Sequence, residues 1–348
     1  MVPEPQFFFD VKSEENTKLI KECIARNGYT PEHNYDYFLS CEEKDRRLVF
    51  IYFGNYQGLL CTEWDNHLWQ VESQIMAPKE LRASLFLAFI KKTFESYPCK
   101  KIFVECIPEV RSAIIKGLKI FIPADGAYAG TKIIAGDIID RLYTPIISLI
   151  AWDPALPGPE MSKLRKCKNR FQRNYTVTLL AGNDAAAVPL EEYRTLVHAW
   201  KKQRKARDRA YYEDYIQFFK NGFKGSDVHL ALRLNGRLCG VSAAWKVPNT
   251  EQTVYYGINL HDYSIPELGD FLTVMFLEEL KKAGYHYMDF GTSDEGLLRY
   301  KQKFNPISTY ETVWFYIRPE KLKESKERDT APVIPHQPAH PPMPDDHS

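Results

Sequence analysis

The stretch from Gly269 to Pro306, GDFLTVMFLEELKKAGYHYMDFGTSDEGLLRYKQKFNP, constrains this chain more than any other. Phe271, Leu272, Met275, Phe276, Glu279 and Leu280 predict a helix with one apolar face, and Gly284 stands where a C-cap glycine belongs. Tyr285 to Phe290 is short and aromatic-rich, as a buried strand would be. Gly291 to Gly296 is a polar turn, and Leu297 to Phe304 predicts a second helix closed by Asn305-Pro306. This order places free backbone N–H groups and the cations Arg299, Lys301 and Lys303 beside a strand end. Such a place suits an anionic group or a developing oxyanion.

The 348-residue length suits two domains rather than one. With 46 basic and 45 acidic residues the net charge is +1, so any contact with a polyanion must come from a local patch. The seven cysteines are scattered and contain no C-x-x-C pair, which favours reduced thiols in a cytoplasmic setting. Met1 to Asp10 lacks the basic and apolar regions of a secretory signal. No apolar run reaches the roughly 18 residues of a membrane span.

Along the chain, a helix is expected from Ser13 to Gly28. Strands are expected at Tyr35–Cys41, Arg47–Phe53, Gly58–Thr62 and within His67–Met76. A long amphipathic helix is expected at Pro78–Tyr97, a strand at Lys101–Cys106 and a helix at Pro108–Leu118. Phe121–Asp137 carries no clear signal. Tyr143–Trp152 reads as a strand and leads into a proline-rich segment, 153–160, expected to be a hinge. Met161–Asn174 is a basic helix. Helices at Leu190–Lys205 and Tyr211–Lys220 follow, with a second basic run at Lys201–Arg207. Val228–Leu234 and Arg237–Trp245 flank Asn235-Gly236, a strong hairpin signal. Further strands are expected at Gln252–Ile258 and Thr309–Ile317. The last thirty residues, 319–348, are rich in proline and poor in apolar side chains, and are expected to be disordered. Their scattered histidines read as a solvated tail rather than a metal site.

Asp289-Phe290-Gly291, Leu297 or Leu298, Tyr300-Lys301 and Phe304-Asn305-Pro306 resemble the closing motif of the C-terminal domain of bacterial phosphatidylglycerol lysyltransferases and of the Fem-type peptidyltransferases. Lys163, Leu164, Arg165, Asn169 and Phe171 resemble the basic helix that opens the lysyltransferase domain. The resemblance implies a mixed α/β fold: tandem acyltransferase units of the GNAT type, with mostly antiparallel sheets flanked by helices. The expected lobes are 1–152 and 161–318. It also implies aminoacyl transfer from charged tRNA to an amine or hydroxyl acceptor, a lipid or a small molecule. By the same resemblance this chain corresponds to the soluble half of proteins that usually carry an integral-membrane half.

Acetyl-CoA enzymes of this fold hold the pyrophosphate on a loop patterned Q/R-x-x-G-x-G/A. The corresponding place here, Ile265-Pro266-Glu267-Leu268-Gly269-Asp270, has one glycine and two acids, which repel a pyrophosphate. No bound cofactor is therefore expected, with aminoacyl-tRNA as donor and acyl-CoA as the alternative. The candidate catalytic set is Lys301, Asp289 and Ser293. Lys301 is implied to face the transferred carbonyl or the tRNA phosphate, although a charged helix face also accommodates a surface lysine. Asp289 reads as a general base or as the cap of its turn. Candidate polyanion contacts are Lys163, Arg165, Lys168, Asn169, Arg170 and Arg299. Absence of a nucleophile triad favours direct transfer. The rivals are an acyl-CoA-dependent N-acyltransferase and a silent binding module. No amphipathic surface for docking on lipid is evident in the sequence.

Overall fold

The computed structural model describes residues 3–71, 73–203 and 212–320. The proline-rich tail and most of the Lys201–Arg207 basic run lie outside the described residues; Lys201, Lys202 and Gln203 close a helix. The chain forms two compact units. One holds residues up to Leu142 together with Val247–Thr250 and the segment from Glu311. The other holds Tyr143–Lys246 and Glu251–Tyr310.

The elements of the first unit are β1 (Gln6–Phe8), α1 (Glu14–Asn27), α2 (Tyr35–Ser40), β2 (Arg46–Tyr52), β3 (Gly58–Trp64), β4 (Leu68–Val71), α3 (Lys79–Ser96), β5 (Lys101–Cys106), α4 (Pro108–Leu118) and β6 (Ile133–Ala135). Then come β7 (Asp140–Ser148), α5 (Ser162–Asn174), β8 (Val177–Ala181), α6 (Asn183–Ala186), α7 (Leu190–Gln203), α8 (Tyr212–Lys220), β9 (Val228–Leu234), β10 (Arg237–Lys246), β11 (Thr253–His261), α9 (Leu268–Lys282), β12 (Tyr287–Asp289), α10 (Glu295–Gln302) and β13 (Ser308–Pro319).

One expected strand is a helix. Tyr35–Cys41 is not a strand but the short helix α2: the Asn34 side chain accepts the Tyr37 amide, and helical spacing buries Tyr35 and Phe38 together. The strand expected within His67–Met76 is Leu68–Val71. The unassigned stretch 121–137 contains β6, paired with β13.

The two units repeat one plan. In the first, β2, β3 and β4 pair antiparallel, α3 crosses over, and β5 pairs parallel with β4. In the second, β9, β10 and β11 pair antiparallel, α9 crosses over, and β12 pairs parallel with β11. The strand beside each crossover strand comes from the other half of the sequence: β13 beside β5, and β7 beside β12. The division accordingly falls at Leu142/Tyr143 and not at the proline-rich segment 153–160. That segment is held to α5 within the second unit, where Arg165 Nη1 donates to the Leu156 and Gly158 carbonyls and Lys168 Nζ to Pro154 O.

Apolar faces at the expected spacing form the cores. Phe86, Phe89, Ile90 and Phe94 of α3 pack on Trp69, Ile102, Val104 and Phe315. Leu164 and Phe171 of α5 pack against α9, with the Phe171 and Phe271 rings stacked at 4.5 Å. The β9–β10 hairpin turns at Asn235 (φ 50°) and Gly236 (φ 84°), the pair of positive dihedrals that Asn-Gly supplies.

Candidate active site

β11 and β12 pair over only three positions, Thr253–Tyr255 with Tyr287–Asp289, while β11 runs on to His261. Beyond Asp289 the partner chain leaves β11, keeping bonds to β7 at Phe290 and Ser293. Its backbone groups must then find other partners, since an unpaired buried carbonyl is costly. Asp289 Oδ1 accepts the Gly291 amide at 2.9 Å, and Gly291 adopts φ 74°. Asp294 caps α10 by accepting the Leu297 amide at 2.7 Å. From the last turn of α10, Lys301 reaches back and donates to the Phe290 and Gly291 carbonyls, the latter at 2.9 Å.

Lys301 and Asp289 are each 4% exposed. Burial pulls the Lys301 ammonium down to about 7, against the opposing charges of Asp289 and Asp294. Burial raises the Asp289 carboxyl, against its hydrogen bonds with the Gly291 amide and the Tyr310 hydroxyl and the charge of Lys301. An amine that exchanges its proton near neutrality, held beside a carboxylate, is the kind of group acyl transfer uses. Ser293 is buried within the same turn: its hydroxyl donates to Gly291 O at 3.3 Å and its carbonyl accepts the Tyr143 amide. This geometry engages Ser293 in bracing the turn.

Two neighbours carry no sequence signal. Tyr310, from the start of β13, donates its hydroxyl to Asp289 Oδ2 at 2.8 Å. Thr144 lies two residues from Ile146, the register partner of Asp289, and therefore on the same face of the sheet. It is buried, and its Oγ1 has no hydrogen-bond partner among the described residues. For Lys301 a signal did exist: Leu297, Lys301 and Phe304 follow i, i+4, i+7 spacing, the inner stripe of a helix.

Behind this turn lies a buried polar network. Ser242 Oγ and Tyr256 OH are 2.6 Å apart, and Asn259 Nδ2 donates to Thr273 Oγ1 at 3.2 Å. The Tyr256 ring stacks on Phe290 at 5.6 Å, and burial raises its phenol.

The start of α9 is closed. Glu267 has left-handed backbone (φ 64°) and its carboxylate pairs with Arg170. Asp270 pairs with Lys303, whose ammonium lies 3.7 Å from the Tyr300 ring centre. A Cβ on Gly269 would lie 2.6 Å from the His261 ring.

The six candidate polyanion contacts divide. Arg165 and Lys168 are turned inward, the latter pairing with Glu278 at 2.6 Å. Lys163 and Asn169 are exposed, and Arg170 is exposed while paired. With Lys166 and Arg173, also exposed, Lys163 and Arg170 follow the three-to-four spacing of one helix face. Arg299 is exposed on α10, with Nε 3.4 Å from Glu295 O. Among the described residues no cluster of His, Cys, Asp or Glu could hold a metal, and no helix is long and apolar enough to cross a membrane.

Residues 148–315 match the model of the family described as phosphatidylglycerol lysyltransferase, C-terminal. Known structures share the fold across nearly the whole chain. The C-terminal DUF2156 domain of a proposed lysylphosphatidylglycerol synthetase from Agrobacterium fabrum is 16% identical, with TM-score 0.58, covering 88% of this chain and 92% of that one. L-PGS from Bacillus licheniformis is 14% identical, with TM-score 0.56 and coverage of 87% and 92%. A tandem GNAT protein from the clavulanic acid biosynthesis pathway is 12% identical, with TM-score 0.52 and coverage of 91% and 98%. No curated protein matches the chain in sequence. The chain thus has a GNAT-type fold, and its residues 148–315 are similar to the lysyltransferase C-terminal domain.

Proposed function

We propose that the protein transfers an aminoacyl group from charged tRNA to an amine or hydroxyl acceptor, a lipid or a small molecule. The observation that carries this reading is the closed, acid-bearing start of α9. In the resemblance, this is where a CoA-dependent enzyme grips its pyrophosphate. Here Glu267 and Asp270 occupy it with their own cations, Arg170 and Lys303, and Gly269 is packed on His261. An incoming pyrophosphate would have to displace two ion pairs and meet two carboxylates.

At the parting of β11 and β12, Lys301 supplies positive charge where an acyl carbonyl would develop an oxyanion. The acceptor nitrogen or oxygen attacks the aminoacyl ester carbon, the bond to the ribose oxygen breaks, and the acceptor's proton ends on that oxygen. The exposed face of α5, with Lys163, Lys166 and Arg173, suits the phosphates of the tRNA acceptor arm.

Incubation with tRNAs carrying labelled amino acids, and separately with labelled acetyl-CoA, tests the reading. Phosphatidylglycerol and small amines serve as acceptors. Label moving from tRNA to an acceptor, and lost in Lys301→Met, is the expected result. Label moving only from acetyl-CoA would make the protein an acyl-CoA enzyme. Binding of either donor without transfer would make it a binding module.

A further inference from the structure

We infer that the loop following α4 is a docking site for an anionic phospholipid bilayer. The inference concerns the first unit and holds whichever donor the second unit uses.

Lys-Ile-Phe-Ile-Pro, residues 119–123, alternates out and in. Ile120 is 89% exposed and Ile122 56%, whereas Phe121 and Pro123 are buried. Exposed side chains of this size are normally isolated, and two alternating isoleucines at a loop tip are not. The loop is also pinned rather than loose. Phe121 N donates to Leu118 O at 3.1 Å and Gly130 N to Pro123 O at 3.0 Å. The Tyr128 ring packs edge-on to Phe94 at 5.8 Å. Gly126, at φ 83°, lies so close to Glu95 O that a Cβ there would sit 2.3 Å from it. The buried Phe121 and Pro123 and the half-buried Tyr128 thus hold Ile120 and Ile122 outward at a fixed place.

Charge identifies the occupant. Lys119 adjoins Ile120, Lys116 lies one turn earlier on α4, and both are exposed. The Lys91 ammonium lies 5.4 Å from the Phe121 ring centre. Asp125 is the exposed acid on the loop and Glu95 lies beside Gly126, against the three cations Lys91, Lys116 and Lys119. Two exposed apolar side chains with Lys116 and Lys119 next to them in the chain fit the boundary between headgroups and acyl chains of an anionic leaflet. A protein partner of ordinary composition would call for a wider apolar patch than two side chains.

Co-sedimentation of the full chain with vesicles of phosphatidylglycerol and phosphatidylcholine, against phosphatidylcholine alone, is the test. Binding to the anionic vesicles that weakens with salt is expected. The double variant Ile120→Ser/Ile122→Ser should weaken it at least tenfold, and Lys116→Glu/Lys119→Glu should abolish the preference for anionic vesicles. Both change exposed positions, so their thermal unfolding should match the parent. Equal binding by either variant and the parent, or no binding by the parent, would overturn the inference. So would self-association of the parent that Ile120→Ser/Ile122→Ser abolishes, since the loop would then meet a second copy of the chain.

Discussion

The Tyr310 hydroxyl donates a 2.8 Å hydrogen bond to Oδ2 of Asp289, so a 40% exposed phenol caps a carboxylate that is itself buried beside Lys301. This bond favours the ionised carboxylate. Tyr310→Phe should raise the Asp289 pKa further and cost about 1.5–3 kcal/mol, the usual worth of a hydrogen bond to a charged group. Urea denaturation and a carboxyl NMR titration would measure both effects.

Lys301→Met keeps the aliphatic bulk but removes the ammonium donor from the Phe290 and Gly291 carbonyls, leaving Gly291 O the 3.3 Å bond from Ser293. The expected loss of stability is about 1–3 kcal/mol. If Lys301 supplies charge to the acyl site, transfer should also fall on the order of 100-fold or more. A stability loss without a rate loss in the remaining folded protein would confine Lys301 to holding the turn.

The Lys301 pKa, lowered from 10.5 to about 7, sets a sign for pH dependence. Between about 7 and 10.5 the unfolded chain holds this proton and the folded one does not. This group therefore makes stability rise with pH across that window. Asp289 acts oppositely at acid pH: with its folded pKa raised, its contribution falls as pH rises past the ordinary carboxylate value. Asp289→Asn removes the carboxylate charge that favours protonated Lys301. It should bring the lysine below 7, a shift readable from the Lys301 Nζ resonance.

His33 makes a separate prediction for the first unit. Its Nδ1 accepts the Tyr29 and Thr30 amides at 2.9 and 3.1 Å, and Nε2 lies 2.8 Å from Gln74 O. The ring is thereby held neutral, with the proton on Nε2. Burial lowers its pKa from 6.5 to about 4. As pH falls from 6.5 to 4 the unfolded chain takes up a proton that the folded one refuses, and this group alone should cost about 3 kcal/mol. Denaturation curves across this range should steepen in the parent and flatten in His33→Gln.

Gly269→Ala places a methyl group 2.6 Å from the buried His261 ring. An overpacking cost of about 1–3 kcal/mol is expected, visible as a lowered midpoint in thermal unfolding.

Much of the second unit was legible because its signals are local. Asn235-Gly236 dictates its hairpin, and the apolar spacing of α9 with Gly284 at its end announces the helix before the turn. Lys301 was harder to place. Arg299 and Lys303 beside it suggest a solvated face, and only the i, i+4, i+7 relation to Leu297 and Phe304 marks it as inward. Tyr310 and Thr144 were out of reach, because strand register brings them to Asp289 and no spacing along the chain encodes register. Tyr35–Ser40 misled because its aromatic residues favour a strand, while the Asn34 cap and the burial of Phe38 favour a helix. The Leu142/Tyr143 division escaped because prolines mark where a chain can bend. They do not mark which sheet a strand joins.

All seven thiols are buried, and burial raises those of Cys23, Cys99, Cys106, Cys167 and Cys239. Alkylating and maleimide reagents should therefore find the native surface blank. One cysteine introduced at Ala127, on the exposed loop beyond Ile122, would carry a spin or fluorescent label without removing any other sulfur. Depth of immersion could then be read directly from a single reporter.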